Sequence, residues 1–404
     1  MPIDDAYAVP TAVARRHGAA FWAVAFAFLI VMAFATLPSP LYGLYRVRDH
    51  LSTLTVTVVY AVFAGGTIAA LILERVVVAR VGRRGAMLGA VATMIVAAAL
   101  LAAWKTLPGL LVGRVLTGVS VGLAAGTATT YLIELRLRDD PNSSVVRAQT
   151  IGTSVTVGAL GVGPLVAGVL AQWTARPLSL PYVVFMALGA LALVGLAAAP
   201  ETGAPSRHAS ATLAVAGIPV PAAAATIAAF SASGLFAGLS GLFLATTLHR
   251  PSHALSGATL FVVFSSGVVS QLATARLRAS RVLALGATSM VGGLVLLVTA
   301  VRLSTPSLAL FLFGGALIGA GAGLVLKGTT GIVLEAAAPE DRVAMTSTLI
   351  IAVFVGLSIP VIGAGVALSE GASAPDTVLG FAIAVGAGVA LSGWALLGRR
   401  ARAS

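Results

Sequence analysis

The sequence contains no cysteine and little charge, because only 9% of its 404 residues are Asp, Glu, Lys or Arg. Without cysteine the chain has no disulfide, thiolate metal site or cysteine nucleophile. The five histidines lie outside the long apolar runs, and no Asp or Glu lies near the middle of one. Metal-dependent and histidine-based catalysis therefore lack their usual groups. We predict no enzymatic activity, no cofactor and no metal site.

What the sequence does have is apolar length. Hydrophobic residues make up 58% of the chain, against roughly 45–50% in soluble proteins, and the mean hydropathy is +1.02. Apolar runs of about 20 residues recur from end to end, and this is the length at which a helix crosses a bilayer core of about 30 Å. The 45 glycines suit closely packed helices in lipid. The fold class predicted is an all-α membrane protein.

Twelve such runs define the predicted transmembrane helices, with no soluble domain between them. Their ranges are 21–44, 53–74, 86–104, 108–134, 147–172, 180–199, 220–246, 254–275, 282–301, 307–335, 343–368 and 376–397. A Pro-, Ser- and Ala-rich connection separates the sixth run from the seventh. We predict an N-terminal six-helix bundle at 1–199, a cytoplasmic linker at 200–219 and a C-terminal six-helix bundle at 220–404.

The positive charges are distributed unevenly between the connections. Most of the 25 Lys and Arg residues fall on the side that also carries both termini, which the positive-inside rule assigns to the cytoplasm. The net charge of +12 is scattered over short connections without interleaved aromatics, so it indicates orientation in a lipid bilayer and no nucleic-acid partner. The Ala-, Val- and Arg-rich composition without cysteine suggests a bacterial inner membrane, and we expect a monomer.

The chain repeats itself when it is shifted by 201 residues: Arg80 falls on Arg281 and Glu134 on Glu335. Charged residues that recur at helix ends are hard to attribute to a biased composition. Parallel repeats of this kind place a substrate site between two halves, and rocking of the halves gives alternating access. A duplication that serves packing alone is the alternative.

Short motifs in the first half resemble those of the major facilitator superfamily. "RVVVARVGRR" (Arg75–Arg84) resembles the signature Gly-x-x-x-Asp-Arg-x-Gly-Arg-Arg, with Arg75 in place of its Gly and Ala79 in place of its Asp. "GALGVGPLVAG" (Gly158–Gly168) is similar to a degraded antiporter motif, and "GRVLTG" (Gly113–Gly118) and "PET" (Pro200–Thr202) are similar to further family motifs. The resemblance implies twelve helices and a transporter of small-molecule substrates.

In that family, charged residues of the signature loop close the cytoplasmic side. Since Ala79 provides no carboxylate, we expect Glu134 and Glu74 to be the partners of Arg80, Arg83 or Arg147, and Glu335 to be the partner of Arg278, Arg281 or Arg342. The alternative is that these arginines only orient the chain in lipid headgroups. The predicted cytoplasmic gate consists of Arg80, Gly82, Arg83, Arg84, Glu74, Glu134, Arg147, Arg281, Glu335 and Arg342.

A few polar residues lie inside the predicted helices and are candidates for the substrate or proton pathway. Charges there cost roughly 2.5–3.5 kcal/mol on insertion scales. The candidates are Arg114, Lys327, Gln271, Tyr42 and Ser266. Each candidate has an alternative role. Arg114 and Lys327 can snorkel to an interface, and Tyr42 can belong to an aromatic belt. Gln271 and Ser266, in the eighth apolar run, can form hydrogen bonds between helices.

Prolines and paired glycines are expected to bend the helices or let them approach closely. These residues are Pro38, Pro40, Gly118, Gly122, Gly163, Pro164, Gly319 and Gly323.

We predict a secondary transporter that exports small, partly hydrophobic compounds, because the antiporter-like motif and the apolar lining favour export. The lack of a central carboxylate leaves proton coupling open. An uncoupled facilitator or importer of a small metabolite is the first alternative, and a membrane receptor without transport is the second. A channel is disfavoured, because no ring of charge or filter-like segment appears.

Overall fold

The computed structural model describes residues 11–139, 145–203, 217–338 and 341–401, and within these ranges the regular structure is helical. The first half of the chain (residues 11–203) contains α1 (Thr11–Thr36), a 3-10 turn η1 (Ser39–Leu41), α2 (Tyr42–Asp49), α3 (Thr53–Ala103), α4 (Leu107–Asp139), α5 (Val145–Trp173) and α6 (Leu180–Ala197). The second half (residues 217–401) contains α7 (Val220–Thr246), α8 (His253–Ala273), α9 (Ala279–Arg302), α10 (Leu308–Ala336), α11 (Arg342–Ser369) and α12 (Ala374–Ala401).

Eleven helical segments of the described chain are long and apolar enough to cross a membrane. The chain is therefore a multi-pass membrane protein, as predicted. Two of the twelve predicted runs, 53–74 and 86–104, fall together in α3, which has 51 residues and a non-helical backbone at Gly82. The count of twelve membrane crossings and the cytoplasmic position of the termini stay predictions.

Gly82 divides α3 into two arms, residues 53–81 and 83–103. Arg48, which precedes the first arm, donates a hydrogen bond to the backbone carbonyl of Lys105, which follows the second arm. The two ends of α3 therefore lie together, and the Gly82 turn lies at the opposite end. We call these the predicted outer end and the predicted cytoplasmic end, following the charge distribution.

Local sequence explains several helix boundaries. Ser52, Ser252 and Ser307 are N-caps of α3, α8 and α10, and each side chain accepts a hydrogen bond from a backbone N–H three residues on. α1 ends at Thr36, two residues before Pro38, and the chain turns through η1, which contains Pro40. Proline lacks the N–H that a continuing helix would need. Pro164, in contrast, lies inside α5.

Within each half, paired glycines bring helices into backbone contact. A Cβ added at Gly118 of α4 would lie 1.9 Å from the carbonyl oxygen of Phe63 in α3, and one at Gly319 of α10 would lie 1.7 Å from that of Val263 in α8. Gly122 and Gly323 extend the same two contacts by one turn. The repeat is thus visible as two equivalent glycine-mediated helix pairs.

Two helix pairs join the first half to the second most extensively, α3 with α11 and α5 with α8. Between α5 and α8, backbone lies against backbone, since a Cβ at Gly257 would lie 2.2 Å from the Pro164 carbonyl oxygen. Gly163 faces the other way, toward Ala33 of α1. α5 is therefore held between its own half and the other one.

Candidate functional site

The signature loop turns at Gly82, whose φ of 76° and ψ of 175° are strained for residues with a side chain. This turn points the backbone N–H groups of Arg83 and Arg84 at the carboxylate of Glu201, with N–O distances of 2.9 and 3.0 Å. The N–H groups of Thr202 and Gly203 also donate to Glu201 Oε1, both at 3.1 Å. The signature has an acidic residue at the position of Ala79. In this chain Glu201, in the segment after α6, provides the carboxylate instead.

Glu134 completes this arrangement. Its Oε2 lies 2.7 Å from Nε of Arg83 and accepts a hydrogen bond of 2.6 Å from Oγ1 of Thr202. The Arg83 and Glu134 side chains are 22% and 30% exposed, so water weakens their attraction. We call Gly82, Arg83, Arg84, Glu134, Glu201 and Thr202 the inner rim network.

Further hydrogen bonds hold residues 200–203 to the first half. Arg84 Nη2 donates to the carbonyl of Ala197 at 2.6 Å, Arg138 donates to the carbonyls of Glu201 and Thr202, and the Tyr131 hydroxyl donates to that of Pro200. These hydrogen bonds all stay within the first half. The pairing of Glu134 was likewise predicted within the first half, and in this conformation the network also fastens the start of the predicted linker to the first bundle.

The other predicted gate residues are placed as follows. Arg80 is exposed near the Gly82 turn, and the side chain of Arg147 lies outside the described part of the chain. Arg281 and Arg342 are exposed in the first turns of α9 and α11, and Glu335 is exposed in the last turn of α10. Their part in a gate stays a prediction.

Glu74 packs against Gly126, the residue that corresponds to Lys327 in the repeat. Glu74 is buried at 8% exposure, its Oε1 accepts a 3.1 Å hydrogen bond from Thr127, and its side chain lies against Gly126. A shift of 201 residues carries Gly126 onto Lys327. Glu74 was expected to pair with an arginine, and the structure instead gives its carboxylate a hydroxyl donor.

Lys327 fastens the end of α8 to α10. Its Nζ donates to the carbonyl of Gln271 at 2.7 Å and to Oγ1 of Thr274 at 3.2 Å. A positive charge at the C-terminal turn of a helix is favourable. Gln271 and Ser266 also donate to backbone carbonyls of α10, those of Gly323 and Ala316. These three pathway candidates thus have helix-to-helix partners here, and their role in transport stays a prediction.

Arg114 is deeply buried, with 1% exposure, so its side chain does not snorkel to the surface. Nη1 donates to the carbonyl of Ala35 in α1 at 2.7 Å and Nη2 to that of Tyr60 in α3 at 3.2 Å. The guanidinium carbon lies 4.5 Å from the ring centre of Phe63, which favours the cation. Phe63 in turn contacts Phe354 of α11, with ring centres 5.9 Å apart. Arg114 is therefore one ring away from the boundary between the halves.

A cavity of about 590 Å³ opens at the predicted outer end, between η1, α2 and the start of α3 on one side and α7 on the other. Tyr42, a predicted pathway residue, is part of its wall together with Ser39. Arg46 and His50 are also in the wall, and the wall has no acidic residue. The ring of Tyr42 contacts that of Tyr60, which belongs to the aromatic cluster around Arg114.

Hydrogen bonds also join the two halves at this end. Gln172 Oε1, at the end of α5, accepts from Ser252 Oγ at 3.1 Å and from the N–H groups of His253 at 2.9 Å and Ala254 at 3.3 Å. Ser369, at the end of α11, accepts from the N–H of Leu54 at 3.2 Å. We call these two contacts the outer clasps. In each, a side chain of one half caps the N-terminus of a helix in the other.

Sequence reasoning missed Glu201, Gln172 and Ser369. For Glu201 a signal existed, because "PET" follows the sixth apolar run and the signature loop lacks its own acid. For Gln172 and Ser369 no local signal existed, since a polar residue at a helix end is common. Among the described residues, no group of three or more His, Cys, Asp or Glu side chains could hold a metal ion.

Comparison with known sequences gives one partial match. Residues 42–202 match the family model described as "Sugar (and other) transporter". The match covers the signature loop, Arg114 and Glu201. No curated protein sequence matches the chain.

Solved structures share the fold over nearly the whole chain. A variant of the nucleoside transporter NupG has a TM-score of 0.69 and 11% identity, over 94% of this chain and 99% of that one. The human organic anion transporter MFSD10 (TETRAN) has a TM-score of 0.67 and 15% identity, over 94% and 99%. Another NupG structure has a TM-score of 0.66 and 12% identity, over 94% and 98%.

Proposed function

We propose that the chain is a transporter of the major facilitator superfamily that exports small, partly hydrophobic compounds across a cell membrane by alternating access, and the partial family match and the shared fold support this proposal. The general part of the proposal is secondary transport of a small molecule by this multi-pass membrane protein. We further propose the direction of transport, which is export, and the kind of substrate. The antiporter-like motif in α5 and the apolar composition of the helices support both.

The observation that carries alternating access is the difference between the two ends. At the predicted outer end, the clasps of Gln172 and Ser369 cross from one half to the other. At the predicted cytoplasmic end, the inner rim network bonds the first half to itself. This difference supports a conformation in which the halves are joined at the outer end, and rocking of the halves would exchange which end is closed.

The proposal includes an arrangement in the membrane. Two bundles, residues 1–199 and 220–404, move against each other across the linker 200–219. Both termini lie in the cytoplasm of a bacterial cell, and the protein works as a monomer in its inner membrane. The fastening of residues 200–203 to the first half fits this division, because it places the start of the linker on the first bundle.

Proton coupling, if export uses it, is assigned to Glu74. This carboxylate is buried and its described partner is the hydroxyl of Thr127, so it can accept a proton without breaking an ion pair. Glu134, in contrast, is engaged by Arg83 and Thr202. The fold shared with nucleoside and organic anion transporters is compatible with organic substrates of either kind.

Flux in proteoliposomes tests the proposal. Purified protein is reconstituted and assayed with a library of small aromatic and aliphatic compounds under an inward and an outward pH gradient. We expect accumulation on the predicted outer side, faster when protons can move the opposite way. Glu74→Gln should abolish the gradient effect, and Glu370→Gln, at an exposed outer position, should not.

Each alternative has its own outcome in this assay. Inward movement that ignores the gradient would establish the facilitator or importer. The absence of flux for every compound, combined with ligand-induced thermal stabilisation, would establish the receptor.

A further inference from the structure

The buried charge of Arg114 lacks a counterion among the described residues, where its side-chain hydrogen bonds go to two backbone carbonyls. Nε of the same guanidinium is buried and has no hydrogen-bond partner in the described chain. Carbonyl dipoles and a phenylalanine ring stabilise a cation only in part, and an unneutralised charge in an apolar interior is costly. The guanidinium of Arg114 can therefore bind a further, negatively charged group.

Two tyrosine hydroxyls beside Arg114 can also donate a hydrogen bond to a ligand. Tyr60 is fully buried, and Tyr42 is 4% exposed. Neither hydroxyl finds a partner among the described residues. The two rings meet edge to face with centres 6.4 Å apart, and the Arg114 guanidinium carbon lies 5.9 Å from the centre of Tyr60. Buried hydroxyls are rarely left unpaired, so these donors also point to a ligand.

The shape of the free donors indicates which anion fits. Each Nη of a guanidinium carries two hydrogens, and the carbonyls of Ala35 and Tyr60 use one on each. In a guanidinium, the N–H of Nε and one hydrogen of the neighbouring Nη are parallel, which is the donor pair that a planar carboxylate accepts, and Nε of Arg114 is free for it. Phe63 and Phe354 provide an aromatic wall for the rest of the molecule.

The surroundings of Tyr42 favour a negatively charged molecule. The outer cavity of about 590 Å³ reaches Tyr42, and its wall contains Arg46 and His50 with no Asp or Glu. A wall of this composition favours anions over cations. The volume accommodates a molecule with one or two rings.

We propose that Arg114, Tyr42 and Tyr60 bind the carboxylate of an organic acid with an apolar body, and that such acids are the transported substrates. This inference rests on the proposed function and narrows it from partly hydrophobic compounds in general to one charge class. Arg114 binds the carboxylate as a fork, and the two hydroxyls each donate one hydrogen bond to it.

Benzoate, benzamide and benzylamine have similar shapes and different charges, so their binding tests which charge the site accepts. Radiolabelled benzoate is measured on the full-length protein in detergent, with benzamide as the neutral competitor and benzylamine as the cationic competitor. We expect benzoate to bind and neither competitor to displace it. Phenyl phosphate serves as a second anion, and its binding in place of benzoate would overturn the assignment to a carboxylate.

Three variants test the location. Arg114→Gln removes the charge and should abolish benzoate binding. Since loss of a buried arginine can also impair folding, Tyr42→Phe and Tyr60→Phe are made as well, because each removes only a hydroxyl. Each should weaken benzoate binding about tenfold, the value of one hydrogen bond to a charged group. Tyr45→Phe is the matched control, because the Tyr45 hydroxyl already has a partner in the Tyr182 hydroxyl at 3.2 Å.

The outcomes separate this inference from the proposed function. Equal binding of benzamide or benzylamine, absence of benzoate binding, or full benzoate affinity in both tyrosine variants would overturn the anion site. Flux of neutral or cationic compounds in proteoliposomes would then leave transport standing without it. Absence of flux for every compound would instead refute transport itself.

Discussion

Among single residues, Glu201 has the clearest structural role that the signature motif does not predict. Its carboxylate accepts hydrogen bonds from four backbone N–H groups, two in the Gly82 turn and two in its own segment. A Cβ on Gly82 would lie 2.4 Å from Glu201 Oε2. The turn and the carboxylate thus require each other: glycine provides both the positive φ and the space.

Glu201→Ala should lower the stability of the first half by about 1–2 kcal/mol, because half-buried backbone donors lose their acceptor. The midpoint of thermal unfolding in detergent, followed by tryptophan fluorescence, measures this loss. Glu370→Ala removes a carboxylate that is exposed at the other end and should leave the midpoint unchanged. Equal midpoints for the two variants would contradict the role given to Glu201.

Among helices, the paired glycines determine how closely the repeat-related pairs α3–α4 and α8–α10 pack. The atoms nearest to an added methyl at Gly118 or Gly319 are backbone carbonyl oxygens, at 1.9 and 1.7 Å. A backbone atom cannot move aside as a flexible side chain can, so the helices themselves would have to separate. Close packing without a hydrophobic driving force is what holds membrane helices together.

Gly118→Ala and Gly319→Ala should each destabilise the protein by about 1–3 kcal/mol, the usual cost of overpacking. Thermal unfolding of the two single variants should give similar shifts, since the contacts are related by the repeat. Gly380→Ala is the control: it lies in α12 and has no atom within 4 Å of the added methyl. A shift at Gly380 as large as that at Gly319 would refute the explanation by packing.

For the whole molecule, we expect the outer clasps to determine which end is closed. Gln172 and Ser369 each cap a helix of the opposite half, so both hydrogen-bond sets break when the halves part at that end. N-terminal caps are worth about 1 kcal/mol each. Their combined loss is comparable with the few kcal/mol that separate conformations of a transporter.

Gln172→Ala combined with Ser369→Ala should shift the population toward an outward-open state. The chain has no cysteine, so Thr57→Cys, introduced at a position buried beside Gly365 of α11, reports opening through its rate of labelling by a membrane-impermeant maleimide. We expect about tenfold faster labelling in the double variant.

Two controls accompany this measurement. Val47→Cys, at a 77% exposed position of α2, should label at the same rate in both backgrounds. Ser373→Ala removes a hydroxyl at the same end that bonds Asp376 within the second half, and it should leave labelling of Thr57→Cys unchanged. Slow labelling of Thr57→Cys in the double variant would show that the clasps do not hold the outer end closed.

The sequence by itself determined the membrane class and the helical architecture, and it predicted the internal repeat and the resemblance to a transporter family. These properties depend on the length of apolar runs, on glycine spacing and on short motifs, all of which are local in the chain. Glu134 was expected to meet one of Arg80, Arg83 or Arg147, and it contacts Arg83.

Only the tertiary structure decided where the long polar side chains go. Glu201 meets the Gly82 turn from more than a hundred residues away, Lys327 reaches the end of α8, and Arg114 stays buried between α1 and α3. A flexible side chain can reach several partners from one backbone position, and packing of distant helices selects among them. That selection is a property of the assembled bundle, because no stretch of sequence specifies which carbonyls, carboxylates or rings will surround a given charge.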